Sequence, residues 1–189
     1  MRNAFRLVAL LNLAYFGVEF AVALHIRSVS LFADSIDFLE DASVNFLILL
    51  ALRWDARKRG AVGTILAGLL LVPGLATLWV IWQKFNLPVV PAPLPLGLTG
   101  LGALAINLSC AFMLARHRKA GGSLTRAAFL SARNDALANV AIIAASIVTL
   151  LFPSAWPDLI VGLGIAALNA DAAREVFMAA REERSAPHP

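Results

Sequence analysis

The sequence predicts an all-α membrane protein with six transmembrane helices packed as a bundle. Of its 189 residues, 60% are hydrophobic and 15% are charged, whereas a soluble domain carries about 25% charged residues. Six apolar segments each approach the roughly 20 residues that a helix needs to cross a bilayer. We therefore expect one six-span transmembrane domain at residues 1–180 and a short cytoplasmic tail at residues 181–189.

The apolar segments are separated by short polar or Pro-rich connections. We place the six spans at residues 4–26, 31–51, 61–82, 96–114, 127–152 and 158–178. Pro73 and Gly74 predict a kink in the third span. A Pro-rich connector at residues 86–95 precedes the fourth span, and Pro153 ends the fifth.

The basic residues predict the orientation of these spans. Thirteen of the sixteen Lys and Arg residues lie at the termini or in the second and fourth connections, and two lie in the other connections. Because cytoplasmic loops are enriched in basic residues, both termini should face the cytoplasm, in a multi-pass protein of the plasma (inner) membrane. The net charge of +4 is spread over these short clusters, which argues against a nucleic-acid partner.

An acidic stretch in the second span is the strongest functional signal. Residues 30–45 hold Asp34, Asp37, Glu40 and Asp41 in otherwise apolar surroundings. A carboxylate at the centre of a membrane helix costs about 2.5–3.5 kcal/mol, which suggests a function or a buried partner. Side chains four residues apart share a helix face, so Asp37 and Asp41 can reach one cation, and Glu40 should face elsewhere.

Two such neighbouring carboxylates repel each other, so one is expected to keep a proton until a divalent cation displaces it. This favours a metal site that exchanges with protons. The alternative is a polar membrane helix whose protonated acids hydrogen-bond to neighbouring helices.

The fifth span contains a further acid, Asp135, which is the natural third ligand for this site. Ser131 and Asn139 lie four residues before and after it on the same face. Arg133 is turned about 160° away by the helical repeat, so it either pairs with Glu40 or Asp34 or extends towards the cytoplasmic interface. Of the two we favour the structural ion pair.

Other polar residues lie within the remaining spans. Asn12, Tyr15 and Glu19 form one stripe on the first span, which either lines a pathway or joins helices. The roles of Asn107, Asn169 and Asp171 are open in the same way. We expect the small residues of the fourth and sixth spans to allow close helix packing; these are Gly100, Gly102, Gly162 and Gly164.

Together these motifs resemble the cation diffusion facilitator (cation efflux) family of divalent-metal transporters. Asn12 and Glu19 are followed by Ser30-Leu31-x-Ala33-Asp34-x-x-Asp37-x-x-x-Asp41 in the second span. The similarity continues with Asn107, with Asp135-Ala136-Leu137-Ala138-Asn139-Val140, and with Trp156-Pro157-Asp158 before the sixth span.

The resemblance implies a homodimer that exports divalent cations, of the Zn, Mn or Fe class, in exchange for protons by alternating access. It places one metal site per protomer midway across the membrane, between the second and fifth spans. No prosthetic cofactor is implied; the metal is the substrate. The family has a His or Asp four residues before an Asp on both helices. The second span keeps this pattern as Asp37 and Asp41, whereas in the fifth span Ser131 stands four residues before Asp135. The metal residues that the resemblance implies are therefore Asp37, Asp41, Asp135 and Ser131.

The resemblance covers the six-helix transmembrane domain without the family's cytoplasmic C-terminal domain. A transport-deficient membrane subunit or metal sensor that keeps the fold is the alternative, and Ser131 is its main support. An intramembrane aspartyl hydrolase fits poorly, because the sequence has no Gly-x-Gly-Asp segment at either candidate aspartate. We therefore predict that the protein is not an enzyme.

Overall fold

The computed structural model describes residues 2–51, 75–115 and 122–169, apart from the side chains of residues 47, 48, 50, 51 and 122–131. The regular structure of this part of the chain is helical. We number its six helices in chain order: α1 (Arg2–Ile26), α2 (Val29–Ala51), α3 (described over residues 75–86), α4 (Pro93–Ala115), α5 (Gly122–Leu151) and α6 (Trp156–Asn169). The predicted all-α class and order of spans are confirmed.

The helix boundaries depart from the predicted spans mainly at N-termini. Helix α4 begins at Pro93, three residues before the predicted start, because proline has no N–H to lose in the first helical turn. Helix α5 begins at Gly122, five residues early. The predicted kink at Pro73 and Gly74 and the tail at residues 181–189 lie outside the described residues.

Among the residues that the structure describes, three helical segments are long and apolar enough to cross a membrane: Arg2–Ile26, Pro93–Ala115 and Ala132–Leu151. Helix α6 is apolar but shorter over its described length, Trp156–Asn169. Helix α2 has the length of a span and also carries the acidic stretch of the sequence. The protein is therefore an integral membrane protein in which one long helix is unusually acidic.

Helices α1, α2, α4 and α5 pack as two antiparallel pairs. Helix α1 packs mainly against α2 and α4 mainly against α5, while α1–α4 and α2–α5 contacts join the two pairs. Small and branched apolar side chains fill the centre; Ala23, Leu31, Leu96 and Ile142 are among them. The outer surface carries large exposed apolar side chains suited to lipid contact, such as Leu98, Phe112, Leu137 and Leu168.

Close helix packing is confirmed at three of the four predicted glycines. A Cβ atom at Gly102 would overlap the Tyr15 hydroxyl, and one at Gly162 would lie 2.6 Å from Val29 Cγ1. At Gly100 it would approach an Ile142 methyl at 3.0 Å. At Gly164, no atom of the described residues lies within 4 Å of such a Cβ atom, so the predicted close contact is not found among them.

A buried polar group fixes the start of α2; we call it the α2 cap. It consists of Asp158 of α6, Lys84 of α3, and Ser28 and Ser30. The Asp158 carboxylate accepts hydrogen bonds from both serine hydroxyls at 2.6 Å and from the backbone N–H groups of Val29 and Ser30. Lys84 Nζ forms a 2.6 Å ion pair with the same carboxylate. The cap therefore joins three helices at one end of the bundle.

The turn before α2 is compact. Arg27 has φ 54°, the left-handed conformation, and its carbonyl accepts a hydrogen bond from Lys84 Nζ at 2.8 Å. Ser28 is the N-cap residue of α2, because its hydroxyl accepts a hydrogen bond from the Leu31 N–H at 3.1 Å. These contacts set the depth at which α2 presents its acids.

Candidate metal-binding site

The acids of α2 fall into two environments. Asp34 is fully buried within the bundle, whereas Asp37 and Asp41, one and two turns further along, are partly buried. The helical repeat carries all three along one side of α2. The half-buried pair is the part of this face that a cation could reach from outside the core.

Asp37 accepts a hydrogen bond from a residue of α6 and interacts electrostatically with an acid of α5. The Asn169 side-chain amide donates a hydrogen bond to Asp37 Oδ1. Among the charges that act on Asp37, the one from Asp135 is the strongest, and Asp41 also contributes. The predicted partners from α2 and α5 are therefore electrostatic neighbours.

Asp41 is held from α1. Asn12 Nδ2 donates to Asp41 Oδ2 at 3.4 Å, and Asn12 Oδ1 lies 3.7 Å from the Cys110 thiol of α4. The buried Cys110 also lies within electrostatic range of both Asp41 and Asp135. Asp37, Asp41 and Asp135, which we call the interior acids, thus face a shared interior region.

The interior acids are near one another but are not gathered around a single point. Within residues 2–51, 75–115 and 122–169, no three Asp, Glu, His or Cys side chains form a group able to hold a metal ion. Asp135 is half-buried and engaged in interactions of its own. The side chain of Ser131 lies outside the described residues, so its role as a ligand stays a prediction.

Asp34 has a different set of partners from the interior acids. Asn139 Nδ2 of α5 donates to Asp34 Oδ2 at 2.5 Å, and Asn107 Nδ2 of α4 donates to Asn139 Oδ1 at 3.0 Å. Glu19 of α1 lies within electrostatic range of Asp34. All four side chains are buried, so this group crosses the centre of the bundle.

The expected ion pair of Arg133 with Glu40 or Asp34 is wrong. Arg133 is exposed, and its guanidinium donates to the neighbouring Asn134 side chain at 3.4 Å. The helical repeat explains the difference, since a residue two positions from Asp135 is turned to the opposite side of α5. The buried lysine of α3, in contrast, does pair with an acid, because Lys84 meets Asp158 in the α2 cap.

The polar stripe of α1 faces other helices along its whole length. Asn12 contacts α2 through Asp41, and the Tyr15 hydroxyl donates to the Thr99 carbonyl of α4 at 2.6 Å. Glu19 is buried within electrostatic range of Asp34 of α2. Asn12 and Tyr15 therefore join helices by hydrogen bonds, while Glu19 faces an acid of α2 without such a bond to the described residues.

Two positioning contacts were not predicted from the sequence. Asn169 to Asp37 and Asn12 to Asp41 both pair an amide with a site carboxylate from another helix. Their only sequence signal is an amide side chain within an apolar helix, which does not identify its partner.

Comparison with protein families decides the identity. The model of the family described as the cation efflux transmembrane domain matches residues 6–183. The chain belongs to the cation efflux family. A search of curated protein sequences found no match. Members of the cation efflux family are membrane transporters whose substrates are metal cations, so the interior acids belong to a cation efflux domain and the bundle around them is its transmembrane fold.

Proposed function

We propose that this cation efflux protein exports divalent metal ions in exchange for protons by alternating access. The observation that carries the proposal is the electrostatic coupling of Asp37 on α2 with Asp135 on α5, inside a membrane bundle. Such acids are costly in a membrane unless a positive charge compensates them. The hydrogen bond that Asp37 receives comes from a neutral amide, Asn169, which leaves the charge of the carboxylate in place.

The amide contacts suggest how the site is held between transport steps. In the conformation described here, Asn169 and Asn12 donate to Asp37 and Asp41. A divalent cation would draw these carboxylates and Asp135 to a common point, since its charge removes their mutual repulsion. A proton can neutralise the same carboxylates after the metal leaves, which couples the two substrates in opposite directions.

The ligand chemistry suggests a hard or borderline divalent cation. The proposed ligands are carboxylate oxygens, with the Ser131 hydroxyl as a fourth. Oxygen ligands suit cations such as Mn²⁺, whereas Zn²⁺ prefers nitrogen or sulfur but binds most sites more tightly than Mn²⁺ or Fe²⁺. His25 lies in the last turn of α1, next to the compact turn, and is not placed to replace an oxygen ligand at Asp135. We therefore propose Mn²⁺ and Zn²⁺ as competing substrates.

The remaining features of the proposal concern assembly and placement. We propose a homodimer in the plasma (inner) membrane with both termini in the cytoplasm. The basic residue asymmetry supports the orientation. The dimer is proposed from the resemblance to the family. With both termini in the cytoplasm, the exported metal enters the protein from the cytoplasmic side.

The test is metal flux into proteoliposomes that contain the full chain. Asp37→Asn and Asp135→Asn keep the shape of each side chain but remove a negative charge. We expect both variants to insert into the membrane normally. Mutation of a residue that only supports a metal ligand typically costs roughly 10–100-fold in affinity or activity, so loss of a ligand itself should reduce Mn²⁺ and Zn²⁺ uptake by more than this. Glu40→Gln, an acid of α2 without a proposed metal role, is the matched control and should retain uptake. Full flux in either aspartate variant would contradict the assignment.

One observation favours the second candidate, a transport-deficient membrane subunit or metal sensor. Ser131 stands in the fifth span where the family's site has a His or Asp, so this implied ligand is only a hydroxyl. The same flux assay separates the two functions, because a sensor would bind Mn²⁺ without transporting it. Uptake driven by a pH difference across the membrane would establish the exchanger.

A further inference from the structure

A second pair of carboxyl groups lies between α1 and α2, apart from the interior acids. Glu19 lies eight residues before Arg27 and Asp34 lies seven residues after it, so the two face each other at the same depth of the α1–α2 pair. Both side chains have 0% of their surface exposed. This pair belongs to the centre of the bundle, not to its surface.

The surroundings of this pair supply too few hydrogen-bond donors. Asn139 donates to Asp34 Oδ2, and that amide is itself oriented by Asn107. The other three oxygens, Asp34 Oδ1 and both carboxylate oxygens of Glu19, receive no hydrogen bond from the described residues. Tyr15 is the closest hydroxyl along α1, and its proton is committed to the Thr99 carbonyl. Three buried carboxylate oxygens are therefore left without a hydrogen-bond donor from the described residues.

The charges around the pair are acidic as well. The groups that act electrostatically on Glu19 are Asp34 and Asp37, both carboxylates. Lys84, the buried lysine of the described residues, is bound to Asp158 at the end of the bundle. Two carboxylates that share such a site cannot both be charged without a cation, because a buried unpaired charge costs several kcal/mol.

We propose that Glu19 and Asp34 form a second cation-binding site that takes a hard divalent cation through their free carboxylate oxygens. The three unpartnered oxygens belong to two electrostatically interacting carboxyl groups on neighbouring helices, and the combined charge of the two carboxylates matches a divalent ion. The orienting amides of Asn139 and Asn107 hold Asp34 in place, as supporting contacts do around a metal ligand.

The second site lies beside the route through the bundle. Asp34 precedes Asp37 by three residues, which is a rise of about 4.5 Å along α2 toward the α1–α2 turn. A cation that leaves the interior acids toward that turn would pass Glu19 and Asp34. The second site is therefore a resting position for a cation on one side of the proposed transport site.

The experiment starts from a protein without the transport site, so that the two sites are measured separately. The full-length Asp37→Asn/Asp135→Asn variant is purified in detergent and titrated with Mn²⁺ by calorimetry and by electron paramagnetic resonance of the bound ion. We expect one Mn²⁺ per chain to remain. Adding Glu19→Gln should abolish this binding, and adding Glu40→Gln in its place should leave it unchanged.

Two results would overturn the proposal. Either the starting variant binds no Mn²⁺, as a pair neutralised by protons alone would, or its bound Mn²⁺ survives Glu19→Gln. If the Glu19→Gln protein does not elute as a folded species, Asp34→Asn in the same background gives the same decision. Failure of the transport site would instead appear as unchanged flux in the single Asp37→Asn protein, so the two proposals fail in different assays.

Discussion

The α2 cap and the interior acids are two acidic groups that both involve α2, and their carboxylates are stabilised inside the bundle in different ways. Asp158 of the cap is fully buried and receives four hydrogen bonds and an ion pair from Lys84. The interior acids are partly buried, and Asp37 and Asp41 each accept a hydrogen bond from an amide of another helix. A complete set of donors and a lysine suits a carboxylate to a structural role.

The partner of a buried carboxylate indicates whether the acid has a structural or a functional role in a membrane bundle. A carboxylate with a fixed lysine is already neutralised and has no need of a mobile cation. A carboxylate held by a neutral amide, as Asp37 is by Asn169, keeps a charge that a proton or a metal ion can compensate. Removal of an acid should therefore affect different properties in the two groups. In the cap it should lower the stability of the protein, and among the interior acids it should weaken cation binding.

The largest expected effect on stability is at the cap. Asp158→Ala leaves Lys84 buried without its partner, and breaking a buried pair in this way costs about 3–5 kcal/mol. Thermal unfolding of the purified protein in detergent should show the loss. Asp37→Ala should change the unfolding temperature far less, because it removes a repulsive charge together with one hydrogen bond.

A double variant provides the control for this prediction. Lys84→Met with Asp158→Leu removes both charges, so it should recover part of the stability lost in Asp158→Ala. Equal destabilisation by Asp158→Ala and Asp37→Ala would break the distinction between the two groups.

The next effect concerns the contact that α6 makes with the interior acids. Asn169→Ala removes the amide that holds Asp37, and the loss of such a supporting contact typically lowers metal affinity by about 10–100-fold. Titration of the variant with Mn²⁺ should show this decrease without a change in the number of ions bound. Asn86→Ala is the matched control, since this exposed amide donates within its own helix region to the Trp82 carbonyl. An unchanged Mn²⁺ affinity in Asn169→Ala would mean that Asn169 of α6 does not support metal binding.

The sequence predicts the helices and the acids better than it predicts their partners. Hydrophobic length alone identifies α1, α4 and α5, because a membrane span requires a minimum length. The helical repeat groups acids along α2 but cannot show which helix supplies a donor to each of them. Asn139, assigned by its spacing to the face of Asp135, instead contacts Asp34. Spacing describes one helix, and the partner depends on how two helices pack.

The cap was missed for the same reason. In the sequence, Asp158 stands out only as part of Trp156-Pro157-Asp158, and Ser28 and Ser30 lie in the short connection before the predicted second span. The carboxylate lies 130 and 128 residues beyond the two serines, so local sequence carries no sign of their contact. Arg133 shows the converse, since a charge within a span was expected to need an ion pair and is exposed.

The smallest expected effect tests whether the cap acts through the helix start itself. Ser28 accepts a hydrogen bond from the Leu31 N–H and donates one to Asp158, so Ser28→Ala removes an N-cap. Replacing a serine N-cap by alanine typically costs about 1 kcal/mol. Ser43→Ala is the matched control within the same helix, because the Ser43 hydroxyl only donates back to the Leu39 carbonyl. The unfolding temperature of Ser28→Ala should therefore be lower than that of the wild type and that of Ser43→Ala. Both variants should retain metal flux. A larger loss from Ser43→Ala would mean that α2 is held by its packing, and that the hydrogen bonds at its start contribute little.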